Sequence, residues 1–232
     1  MVIILNQSNN INHTNNIFTI CYYNKELKYL HLGYPNIEEQ TEECWEINIL
    51  NLHEKYPEYN IIENTENMFL EADYYHSFPQ VFLKFLNLKK IEICGSRWWN
   101  LNCNQIPISV EHLIMTQHTN LQNDVMKGGE SLINLHTLEL DYFPFFGYCN
   151  FYDYNEGEFS ILYIENIYPI ADIGKLKKII LHTYGNETGM DDIKYCDCES
   201  ILKNHKLFSN IKNRIDIIYI DEDTQNIIII LL

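Results

Sequence analysis

Apolar residues recur along this chain with one offset. In "SLINLHTLEL" they stand at Leu132, Leu135, Leu138 and Leu140. "FLNLKKIEI" puts Phe85, Leu88, Ile91 and Ile93 at the same offsets, and "IGKLKKIIL" puts Ile173, Leu176, Ile179 and Leu181 there. "SVEHLIM" is a shorter version (Val110, Leu113, Met115), and "LKYLHL" is another (Leu27, Leu30, Leu32). "FSNIKNRIDIIYI" is a stretched version, with Ile215 and Ile217 in the last two places. The closing apolar–x–apolar pair alternates, which predicts a short strand with two side chains on one face. The apolar residues three apart before it suit a turn or helix end packing onto the same core. No single unit can bury its own apolar side. Stacked units can, with their strands side by side in a parallel sheet.

The predicted strands Ile91, Leu113 and Leu138 are 22 and 25 residues apart, and the next steps, to Ile179 and Ile215, are 41 and 36. On this pattern the chain resembles the leucine-rich-repeat family. The phrase "IPISVEHL", from Ile106, is also similar to the proline-serine phrase in the short repeats of some amoebal, giant-viral and bacterial members. The likeness runs from about Phe82 to Ile220, with Leu27 to Leu32 as a looser match. It implies an α/β fold, an irregular leucine-rich-repeat solenoid with a curved parallel sheet. The family usually carries Asn or Cys three residues after the strand's second leucine, whereas Ser96, His118, Phe143 and Tyr184 stand there in this chain. The missing asparagines imply irregularity. The competing reading is an ordinary α/β domain whose leucine spacing is coincidental.

Both ends read differently. "VIIL", "IFTICYY" and "LKYLHL" are short apolar runs, the last two separated by "NKE", and predict a β-hairpin at the N-terminal end. "IDIIYI", "DEDTQN" and "IIIILL" predict a closing hairpin. Such hairpins would act as caps, since end repeats otherwise expose core. The expected organisation is an N-terminal capping region over 1–80, with the hairpin and a possible first repeat. Repeats follow over 81–232, with an aromatic insertion at about 142–168 and a C-terminal strand cap, all in one continuous domain. "CWEINILNLHEKY" fits either a helix or a strand.

Composition narrows the classes. The chain has 232 residues, 46% of them hydrophobic, enough for a folded domain. Sixteen Lys and Arg against 32 Asp and Glu give a net charge of −16. Such a surface repels phosphate backbones and anionic membrane, so neither nucleic acid nor membrane is expected as a partner. A basic protein would be steered toward it. No run approaches the ~20 apolar residues of a membrane helix. "MVIIL" lacks the basic start of a signal peptide. Seven cysteines at irregular positions do not make a disulfide framework, so a reducing cytoplasm is expected.

Motifs for chemistry are sparse. The chain has no GxGxxG, P-loop, GxSxG or HExxH. "CDCESILKNH" offers Cys196, Cys198 and His205 as metal ligands, one fewer than a structural zinc site takes. Asp191, Asp192, Asp221, Glu222 and Asp223 could hold a hard cation or lie in solvated turns. The expectation is therefore no cofactor, no metal and no catalytic residue.

Strand alternation places Glu92, His112, Thr137, Glu139, Asp141, His182 and Asp216 on the side of the sheet opposite the core, the usual partner-binding side of the resembled fold. The long step from Leu138 to Ile179 implies an insertion of roughly 17 residues beyond the usual repeat. It holds Tyr142, Phe146, Tyr152 and Tyr154 beside Asp153, Glu156 and Glu158. Trp98 and Trp99, in "RWWN", follow an earlier strand and extend the same rim. Aromatic residues favour interface centres, and these rings suit either partner contact or a small satellite core. The expected function is a non-enzymatic protein-binding module, monomeric or in a heterocomplex. Most concretely it is an acidic inhibitor of the immunity type that neutralises a basic protein. An adaptor or substrate receptor of a ubiquitin ligase, in an AT-rich amoeba or giant virus, is the alternative. A cysteine- or metal-dependent enzyme comes third.

Overall fold

The structure is a computed structural model that describes residues 2–5, 20–33, 54, 56–71, 80–94, 102–116, 126–141, 151–152, 159–160, 168–182, 204–221, 223–224 and 226–232. The chain is mixed α/β and dominated by one sheet. Its strands are β1 (Val2–Leu5), β2 (Ile20–Asn24), β3 (Tyr29–Gly33), β4 (Asn67–Glu71), β5 (Lys90–Cys94), β6 (His112–Thr116) and β7 (Thr137–Asp141). After a two-stranded hairpin of β8 (Phe151–Tyr152) and β9 (Phe159–Ser160) come β10 (Lys178–His182), β11 (Ile215–Ile220) and β12 (Ile227–Leu231). Ten strands form the main sheet in the order β1-β2-β3-β4-β5-β6-β7-β10-β12-β11. The described helical segments include a four-residue α-helix, α1 (Ile61–Asn64), and short 3-10 turns.

The strands from β3 to β7, with β10, run parallel in one register. Leu30, Met68, Ile91, Leu113, Leu138 and Ile179 therefore form one file beneath the sheet, and Leu32, Leu70, Ile93, Met115, Leu140 and Leu181 form the next. All twelve are buried in a single hydrophobic cluster. The apolar residues three apart have a local cause. The Leu88 amide donates to Phe85 O (3.1 Å), Val110 to Pro107 (3.1 Å), Leu135 to Leu132 (2.9 Å) and Leu176 to Ile173 (3.0 Å). Each pair closes a tight turn that drops both side chains into the core before the strand begins.

Successive layers are joined by a repeated backbone contact. The carbonyl just before a strand accepts two amides from the start of the next strand: Lys28 from Glu66 and Asn67, Glu66 from Lys89 and Lys90, Lys89 from Glu111 and His112, Glu111 from His136 and Thr137, and His136 from Lys177 and Lys178. Side chains add a second ladder. Asn87 Nδ2 donates to Glu63 O (2.7 Å), Ser109 Oγ to Leu88 O (2.8 Å), and Asn134 Nδ2 to Ile108 O (2.9 Å). These polar contacts lie before the strands. The slots after them that lack asparagine (Ser96, His118, Phe143 and Tyr184) are outside the described residues.

Three features differ from the sequence expectation. β4 is a full parallel strand whose preceding buried position is Thr65, which takes the place of the leucine in the other layers. Its hydroxyl donates to Ile61 O at 2.6 Å, so a polar residue is buried there without an unpaired group. Leu27 is exposed in the turn between β2 and β3, outside the core. Ile215 and Ile217 do not continue the parallel file. The last strand, β12, pairs with β10, and β11 becomes the sheet edge, antiparallel to β12. A bulge between Ile215 and Ile217 shifts the phase, so Ile215 and Ile218 turn toward the core and Ile217 away from it.

Candidate partner-binding face

The face opposite the core is read directly from the register. One row across it, at the strand starts, holds Tyr29, Asn67, Lys90, His112, Thr137, Lys178 and Ile230. The next holds Tyr22, His31, Phe69, Glu92, Ile114, Glu139, Ile180 and Ile228. A third places Gly33, Glu71, Cys94 and Thr116 in register at the strand ends, with Asp141 beside His182.

Three of the expected residues meet. His112 Nε2 lies 2.5 Å from Glu139 Oε1, and His182 Nε2 lies 2.6 Å from Glu139 Oε2. His112 is in register with Thr137 and His182 with Asp141, so the rings reach Glu139 from opposite sides and opposite ends of β7. The Glu139 side chain is only 12% exposed. Burial alone would raise its pKa, but the two imidazole hydrogen bonds outweigh that and hold it at about 2. The carboxylate is therefore an ion and only an acceptor, so each Nε2 carries the donated proton. In a neutral ring Nδ1 is then an acceptor. A carboxylate held this low is a weak general base near neutral pH. Its chemical use is as a fixed negative charge between two oriented rings.

Other parts of the face were not anticipated. Aromatic rings occupy its N-terminal end: Tyr22 and Tyr29 meet edge-on at 6.2 Å, and His31 and Phe69 at 4.8 Å. The Tyr29 pKa is raised by burial, then by the Glu92 carboxylate and by Tyr22. Lys90 and Lys178 stand at the strand starts, so the face is basic along one margin and acidic toward the middle. Extending each alternation by one residue toward the N-terminus would have found both lysines. The "CYYN" and "NMFL" alternations were the signal for the rings.

Asp216 is exposed at the bulge of the edge strand, between the pairs Ile215–Leu231 and Ile217–Ile230. Trp98, Trp99, Tyr142, Phe146 and Tyr154 lie outside the described residues, and Tyr152 is placed only as part of β8. Cys196, Cys198, Asp191, Asp192 and Glu222 also lie outside them. His205 Nδ1 accepts the Leu207 amide at 3.2 Å and caps the 3-10 turn Lys206–Phe208. Asp221 accepts the amides of Asp223 (3.0 Å) and Thr224 (2.9 Å), as a turn residue does. Among the described residues no group of three or more His, Cys, Asp or Glu is arranged to hold a metal ion, and no helix is long and apolar enough to cross a membrane.

No family model, curated protein or solved structure matches this chain.

Proposed function

We propose that the chain is an irregular leucine-rich-repeat solenoid whose open sheet face binds another protein, acting as an acidic inhibitor or immunity-type protein on a basic partner. The observation that carries this reading is the arrangement at Glu139. A part-buried carboxylate, kept ionised by His112 and His182, stands in the middle of a broad sheet face. Fixed charge on a rigid sheet orients a partner without first having to be ordered. Glu92 in the same row and the net charge of −16 favour a basic partner. Lys90 and Lys178 refine this: the partner's basic groups belong over the middle row, and its acidic groups over the strand starts.

Affinity capture from the source cell, with the wild type and a Glu92→Arg/Glu139→Arg variant side by side, tests the reading. A basic protein retained by the wild type and lost by the folded variant is expected, with association that slows as salt rises. Retention unchanged by the variant, or capture of an acidic protein, would overturn it.

A further inference from the structure

The edge of the sheet offers a second surface, independent of the face just described. We propose that β11 is a self-association edge, along which two copies of this chain join antiparallel about a two-fold axis. A single sheet would then run through both.

The backbone supplies the first argument. The Asp221 amide donates to Asn226 O at 2.9 Å, which makes that pair a hydrogen-bonded one. Antiparallel pairs alternate, so Tyr219–Ile228 and Ile217–Ile230 are hydrogen-bonded pairs in the β11–β12 register, while Ile218 and Ile220 turn their amides and carbonyls outward. The outward groups form a template for another strand.

The side chains supply the second. Soluble proteins blunt such edges with charge, proline or a bulge. β11 has its bulge beside Asp216, but the four residues that follow are uncharged and apolar. Ile217 is 51% exposed, Tyr219 46% and Ile220 36%. Ile217 and Tyr219 lie opposite Ile230 and Ile228 on the open face, and Ile220 lies opposite Ile227 on the core side. A second strand would cover apolar surface on both faces at once.

Charge selects the occupant and its direction. Lys212 and Arg214 precede the strand, and Asp221 and Asp223 follow it. Antiparallel pairing of two copies puts the basic start of each beside the acidic end of the other, whereas parallel pairing would stack like charges. Arg214 is already held by Asp172 and by carbonyls, which leaves the exposed Lys212 as the group that reaches across. A monomer or a heterocomplex is the expectation from sequence, and the dimer proposed here is a third arrangement.

The test is sedimentation velocity on the full chain at near-physiological salt, over roughly 1 to 100 µM, since dimer mass must depend on concentration. The wild type should pass from monomer to dimer. Tyr219→Glu should weaken the dimer more than about tenfold. Ile220→Pro should also weaken it with the fold intact, because it removes an amide facing away from β12 and proline is tolerated on edge strands. Lys212→Glu should weaken association, and adding Asp223→Lys should restore it, which a partner strand from another protein would not do. Thermal melts confirm that each variant is folded. If Ile220→Pro does not fold, the Lys212/Asp223 exchange, at exposed positions, decides. A wild type that stays monomeric throughout, or a dimer indifferent to these substitutions, overturns the proposal.

Discussion

Arg214 Nη2 donates to the Leu176 carbonyl at 2.7 Å, across 38 residues of chain. The same guanidinium reaches Ile173 O at 2.8 Å, and its Nε reaches Leu232 O at 3.0 Å. A fourth partner is Asp172 Oδ1 at 2.8 Å. One side chain thus ties the turn before β10 to the end of β12. Arg214→Ala is expected to cost about 2–4 kcal/mol, since charge-assisted hydrogen bonds are worth about 1.5–3 kcal/mol each and are not additive. Arg214→Lys should recover less than half, because an ammonium cannot reproduce the planar fork. Urea unfolding of both variants measures this, and full recovery by lysine would show that charge alone matters.

Leu138 and Asn134 belong to the same layer but stabilise it differently. Leu138 is fully buried in the central file, so Leu138→Ala should cost about 2–5 kcal/mol. Asn134 joins its layer to the previous one through its Nδ2–Ile108 O hydrogen bond and accepts from the exposed Lys175 Nζ on the other side, so Asn134→Ala should cost about 1–2 kcal/mol. Equal losses in chemical denaturation would mean that these interlayer contacts are worth far more than ordinary exposed hydrogen bonds.

Glu139 predicts a pH dependence. Its folded-state pKa of about 2 lies below the ordinary glutamate value, despite burial that pushes the other way. Its contribution is therefore fully present above roughly pH 4.3 and is lost as pH falls toward the folded value. Between about pH 5 and 2 the wild type should lose on the order of 2–3 kcal/mol more than Glu139→Gln. Denaturant midpoints collected across that range should converge at the acid end. Parallel curves would mean that the carboxylate is no better stabilised folded than unfolded.

Cys103 should be silent in the native state. It is fully buried, and its pKa is pushed up to about 12, first by burial and then by the nearby Glu130 carboxylate. The thiolate is the reactive species. Maleimide labelling followed by peptide mass mapping should modify the half-exposed Cys94 first, and Cys103 only as the protein unfolds. Labelling of both at one rate under native conditions would contradict this burial.

The sequence by itself determined which residues of the central strands β5, β6, β7 and β10 face the core. Alternation in "IEI", "LIM", "LEL" and "IIL", with an apolar residue three places earlier, is a local property, because pleat and turn geometry fix side-chain direction within a few residues. It therefore located β5, β6, β7 and β10, both terminal hairpins and the place of His112, Glu139 and His182 on the opposite side. Tertiary structure decided what depends on distant partners. β4 was hidden because Thr65 occupies the leucine position, acceptable only where the Ile61 carbonyl receives its hydroxyl. The choice of β12 over β11 as the neighbour of β10 could not be read from two isoleucine-rich strings of equal merit. Pairing, and the bulge that reverses the phase at Asp216, settled it. The contact of both imidazoles with one carboxylate likewise needed three strands in register, since His112 and His182 are 27 and 43 residues from Glu139. Periodicity reports the direction in which a side chain points. Only packing brings it within 3 Å of another, because hydrogen bonds act over shorter distances than the spacing between strands.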